Sequence, residues 1–184
     1  DGDYEFPFAD AGNTEVGRVE RHALQYAEAG NVRTDGAAIR VKQGNILPLA
    51  VWGRDGHPLS TEPAGTARID NTVCYSGAIT KTVACGQIVA RSLNYRAEGV
   101  PFGLAGSWVM SPEGKRPQHG DSGAPVWNHR TGASIGLVSF GRPPNEMSET
   151  LVAPLLHPPN MPSDRVPGIL NHMGMRPLQL ALGG

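Results

Sequence analysis

Short apolar runs separated by turn-forming residues dominate this chain. The runs 37–42, 46–52, 67–69, 72–75, 87–90, 102–110, 124–127, 134–140 and 151–156 are each the length of a strand, and residues 16–19 read the same way. Gly44-Asn45, Arg54-Asp55-Gly56, Glu98-Gly99 and Pro112-Glu113-Gly114 fall between them and favour turns. Many short strands at this spacing predict an all-β protein, either a barrel or a sandwich. Residues 20–30 hold good helix formers but follow directly on a strand-like run, so their pattern chooses neither state. Beyond Gly141 the texture changes. Arg142-Pro143-Pro144-Asn145 reads as a loop. His157-Pro158-Pro159-Asn160-Met161-Pro162 excludes a regular helix or a central strand, because proline lacks the N–H both require. Residues 177–182 are expected to form a last strand.

Composition narrows the function classes. With 184 residues, the chain fits one domain or two small lobes and can bury a core. A net charge of −1 and the lack of any basic run argue against nucleic acid or an acidic membrane surface as partner. No apolar run approaches the length of a membrane span. The 24 glycines and 16 prolines favour turns over long helices. Cys74 and Cys85 flank a segment that reads as a hairpin, which would bring them within bonding reach. A disulfide there implies an oxidising, extracytoplasmic setting. The alternatives are two buried thiols, or a two-thiol metal site. The latter lacks a CxxC or a nearby histidine in sequence to complete it. No metal or organic cofactor is expected.

The chemistry concentrates in Gly120-Asp121-Ser122-Gly123-Ala124-Pro125. A serine hydroxyl is a weak nucleophile until a base accepts its proton and donors await the oxyanion. Glycines on both sides open backbone conformations closed to other residues, letting the Gly120 and Ser122 amides point at one spot. This loop resembles the nucleophile loop of trypsin-like serine proteases. A second stretch, Cys74-Tyr75-Ser76-Gly77-Ala78-Ile79-Thr80 followed by Cys85-Gly86-Gln87-Ile88, is similar to the disulfide hairpin of secreted bacterial alpha-lytic and streptogrisin-type proteases. The likeness covers residues 16–154. It departs in lacking a second disulfide near the serine and in carrying Ala124 where glycine is commoner.

The resemblance implies a trypsin-like double β-barrel, with residues 1–70 as a partial N-terminal barrel and 71–184 as the C-terminal barrel. It implies peptide-bond hydrolysis through an acyl-enzyme on Ser122, with the amides of Gly120 and Ser122 as oxyanion hole. Ser139, Phe140 and Gly141 would bind substrate backbone and wall the specificity pocket. Asp35, immediately ahead of an apolar run, would orient the catalytic imidazole. Asp121 would fix the nucleophile loop. Arg116, six residues before Ser122, lies in the region that forms the pocket floor, where a cation would favour an acidic side chain; a solvated loop arginine is the competing reading.

The histidine does not fit. The family order is His, Asp, Ser, yet His22 precedes Asp35 by only 13 residues and sits in a strand-like run. His57 follows Asp35, His119 adjoins the nucleophile loop, and His129, His157 and His172 come after Ser122. The chain begins Asp1-Gly2-Asp3 without Met, which reads as a processed or trimmed start. The expectation is therefore that an N-terminal segment, or a separate chain after cleavage, supplies the base. The other reading is a catalytically inactive, protease-like binding or structural domain of a larger secreted or viral assembly.

Overall fold

The computed structural model describes residues 7–9, 15–22, 32–33, 36–41, 50–52, 58–60, 62–95, 103–112, 116–141, 149–159, 168–173 and 175. Twelve strands and one short helix are found there. They are β1 (Pro7–Ala9), β2 (Glu15–His22), β3 (Val32–Arg33), β4 (Ala37–Val41), β5 (Ala50–Trp52), β6 (Pro58–Ser60), β7 (Thr72–Gly77), β8 (Thr82–Tyr95), β9 (Gly103–Met110), β10 (Pro125–Asn128), β11 (Ser134–Gly141), β12 (Glu149–Pro154) and α1 (Ile169–His172).

Pairing runs β7–β8–β9 and β12–β11–β10–β7, and β12 also pairs with β9. These six strands therefore close into an antiparallel barrel. Closure removes the exposed sheet edges that an open array would leave. β1, β2 and β4 form a separate antiparallel sheet, β5 and β6 a hairpin, and β3 lies parallel to the start of β9.

Apolar residues from the predicted strand runs fill the barrel. Successive side chains of a strand face opposite sides, so Val73 and Tyr75 of β7 point inward together. They meet Ala84 and Ile88 of β8, Val109 of β9, Val126 of β10, Ile135 and Val138 of β11, and Val152 of β12. Val73, Ile88 and Val126 are almost wholly buried. Each contributes roughly 1.5–3 kcal/mol of transfer free energy. On the outer side of β9 and β12, Leu104, Trp108 and Leu151 make a second cluster, and Tyr95 meets Trp108 edge-on at 4.8 Å between ring centroids. Ile169 and Met173 of the α1 region pack on Ala153, Leu137 and Ala38, bridging the barrel to β4.

Two expectations need correction. Residues 67–69 are not a strand: Asp70 has a φ of 69°, and Asn71 N–H donates to the Arg68 carbonyl at 3.2 Å, turning the chain there. Only Ala67 of this run is buried. Residues 87–90 are the middle of a strand 14 residues long, because β8 continues with β9 beyond its pairing with β7. Residues 20–22 belong to β2. Residues 23–31, 46–49 and 177–182, and the turns at 44–45, 54–56, 98–99 and 113–114, lie outside the described residues. Among the described residues no helix is long and apolar enough to cross a membrane.

Candidate active site

Two consecutive turns build the loop that carries Ser122. Asp121 N–H donates to the Gln118 carbonyl at 2.9 Å, and Gly120, third in that turn, has a φ of 97°. Ala124 N–H then donates to the Asp121 carbonyl at 2.9 Å, with Gly123, third in its turn, at 86°. A positive φ at the third position is the type II requirement, which is why glycine stands at both places. Ser122 falls at the second position of the second turn and is exposed.

The loop is held from two sides. Gly123 N–H donates to the Val138 carbonyl at 2.7 Å, and Val138 N–H returns a bond to the Ala124 carbonyl at 2.9 Å, fixing the loop to β11. On the other side the Asp121 carboxylate, 1% exposed, accepts three backbone N–H groups. These are Ile79 at 2.7 Å, Thr80 at 3.3 Å and Gln118 at 2.9 Å. A carboxylate buried this deeply requires such donors, and hydrogen bonds to a charged acceptor are the stronger kind. Gly77, at the end of β7, makes room: a Cβ there would lie 2.5 Å from the Asp121 carboxyl carbon and 2.4 Å from Thr80 Oγ1. Tyr75 faces the same region, and its hydroxyl is held neutral well above the usual phenol range by burial and then by the Asp121 charge.

The amides of Gly120 and Ser122 donate to no acceptor among the described residues, whereas those of Asp121 and Gly123 are both bonded. Two free N–H groups thus flank Asp121, beside an exposed hydroxyl. Ser139 is buried in β11 at the point where the β11–β12 register shifts. Phe140 and Gly141 continue that strand opposite Leu151 and Thr150. Arg116 is half-buried and His119 is exposed.

Asp35 and His57 lie outside the described residues. His22 ends β2, where it pairs with Ala37. His129 is exposed beyond β10, its Nδ1 3.6 Å from Cys74 Sγ. Cys74 and Cys85 face each other across β7 and β8 and form a disulfide. The hairpin amides that hold Asp121 escaped sequence reading, as did the His129–Cys74 contact. Gly77 and Thr80 were visible within the hairpin motif, but nothing in the sequence gave them a partner 41 to 44 positions away.

No protein-family model and no curated protein matches the sequence. Solved structures do match. Thermobifida fusca protease A superposes on 75% of this chain and 67% of its own, at 21% identity and a TM-score of 0.58. Cellulomonas bogoriensis chymotrypsin covers 76% and 68%, at 22% identity and 0.58. Nocardiopsis protease covers 82% and 78%, at 22% identity and 0.55. The fold is that of the trypsin-like serine proteases. Within it, the Cys74–Cys85 hairpin contributes two strands of the closed barrel, and the loop carrying Ser122 leads into a third, β10.

Proposed function

We propose that this protein is a serine endopeptidase that cleaves peptide bonds through an acyl-enzyme on Ser122. The observation that carries the reading is the pair of unengaged amides, Gly120 and Ser122, on a loop pinned by Asp121 and presenting an exposed serine hydroxyl. Such preorganised donors stabilise the oxyanion of a tetrahedral intermediate without reorganising as charge develops. Ser122 Oγ attacks the scissile carbonyl and an imidazole takes its proton, later passing it to the leaving amine. Asp35 orients that imidazole, which comes from a segment preceding Asp1 or from a separate chain. Ser139, Phe140 and Gly141 pair with substrate backbone. The disulfide favours an extracytoplasmic place of action.

A fluorophosphonate probe tests the reading. The protein with its natural upstream sequence should be labelled on Ser122, and Ser122→Ala should not. A folded, complete protein that resists labelling would instead be a protease-like binding domain.

A further inference from the structure

A histidine, absent from the sequence near either cysteine, is supplied by the fold. Cys74 lies in β7, Cys85 directly opposite in β8, and their Cα atoms are 4.0 Å apart. His129 follows β10, which pairs with β7 on its other side. Its backbone is fixed, because His129 N–H donates to the Thr72 carbonyl at 3.0 Å. The turn beyond is closed by Asn128 Oδ1, which accepts from Arg130 N–H at 3.0 Å and Thr131 N–H at 3.2 Å. The ring nitrogen and the two sulfurs all lie within 4.8 Å of one another.

We propose that Cys74, Cys85 and His129 form a binding site for a borderline or soft divalent cation, Zn²⁺ or Cd²⁺, when the disulfide is reduced. A tetrahedral Zn²⁺ with ordinary bond lengths separates a sulfur and a nitrogen ligand by about 3.5 Å and two sulfurs by about 3.8 Å. The His129 Nδ1 to Cys74 Sγ distance, 3.6 Å, already matches. The sulfurs reach theirs by side-chain rotation once the S–S bond is gone. A dithiol reductant supplies the two electrons and two protons, becoming a cyclic disulfide and leaving two thiols. The cation then displaces both thiol protons to solvent and forms two metal–sulfur bonds and one metal–nitrogen bond. His129 is exposed, so the fourth position opens to water. The disulfide joins β7 to β8 alone, whereas the cation also ties in the end of β10, the strand that leaves the Ser122 loop.

Cadmium titration of the reduced protein, followed by the thiolate-to-metal charge-transfer band, tests the site. One equivalent should bind the folded reduced protein and none the oxidised form. Cys74→Ser and Cys85→Ser should each abolish the band. His129→Ala, a change at an exposed side chain, should weaken binding by about tenfold or more. Zn²⁺ should raise the melting temperature of the reduced protein and leave that of the oxidised protein unchanged. The proposal is overturned by a folded reduced protein without the band, by unchanged affinity in His129→Ala, or by circular dichroism showing that the reduced chain has unfolded.

Discussion

The Asp121 carboxylate accepts the Ile79 N–H at 2.7 Å, joining the loop that carries Ser122 to the tip of the β7–β8 hairpin. This bond runs from a charged group to backbone amides, so it needs no cationic partner and no side chain of particular identity at position 79. It makes the loop's shape a property of the barrel.

Asp121→Asn keeps the shape of the side chain but replaces one acceptor oxygen by an NH₂ group. Whichever way the amide turns, it sets a donor against the Gln118 N–H or against the Ile79 and Thr80 N–H groups. Leaving buried donors unsatisfied should cost about 2–4 kcal/mol of stability. Urea denaturation of the variant beside the native protein measures it. Fluorophosphonate labelling of Ser122 should slow by about tenfold or more, since small misplacements of reacting groups are costly. Unchanged labelling would separate Asp121 from the loop's function.

Gly77 and Gly123 make opposite demands. A methyl group at Gly77 meets Asp121 and Thr80 at 2.4 to 2.5 Å, but its backbone tolerates any residue. At Gly123 a methyl group meets nothing within 4 Å, but the φ of 86° disfavours a side chain. Gly77→Ala should lose about 1–3 kcal/mol through overpacking. Gly123→Ala should lose about 1 kcal/mol through backbone strain. Thermal melts of the two variants check the order, and a larger loss at Gly123 would contradict the packing account.

Short apolar runs between turn formers made an all-β barrel or sandwich legible, and the resemblance carried by the Ser122 loop and the Cys74–Cys85 hairpin chose the barrel that the β12–β9 pairing closes. The Ser122 loop was legible because turns of this kind need glycine at fixed positions. What stayed hidden was long-range. The amides of Ile79 and Thr80 carry no side-chain signature, and His129 lies 55 positions from Cys74. Residues 67–69 misled for a local reason: a short apolar run bounded by Asp70 and Asn71 can bury one residue and turn.

Tyr75 gives the protein an alkaline limit. Its phenol is raised above the ordinary value by burial and then by the Asp121 charge, so the native state keeps the proton that the unfolded chain releases near pH 10. Stability contributed by the neutral phenol is complete below that pH and declines as pH rises above it, by up to about 1.4 kcal/mol per pH unit. Other groups titrate in the same range, so the informative quantity is the difference from Tyr75→Phe. Denaturation midpoints at pH 9 to 11 should converge or cross, with the variant losing less stability than the native protein. Parallel pH profiles would rule out a buried, neutral Tyr75.

Gly36 follows Asp35, and a Cβ on it would lie 2.7 Å from Ile169 Cδ1 and 2.9 Å from both Cγ atoms. Ile169 is 3% exposed and packs against Ala153 and Ala38, so α1 is seated on the segment that leads into β4. Ile169→Ala should cost about 2–5 kcal/mol through the cavity it leaves. Gly36→Ala should cost about 1–3 kcal/mol because Ile169 cannot retreat from a filled core. The two effects should not add. In the double variant the alanine methyl enters space vacated by the isoleucine, so its loss should fall short of the sum by 0.5 kcal/mol or more, roughly the coupling of residues in direct contact. Urea denaturation of the four proteins measures that coupling. Strict additivity would mean that α1 does not rest on Gly36, and that the segment adjoining Asp35 takes its position from β2 and β4 alone.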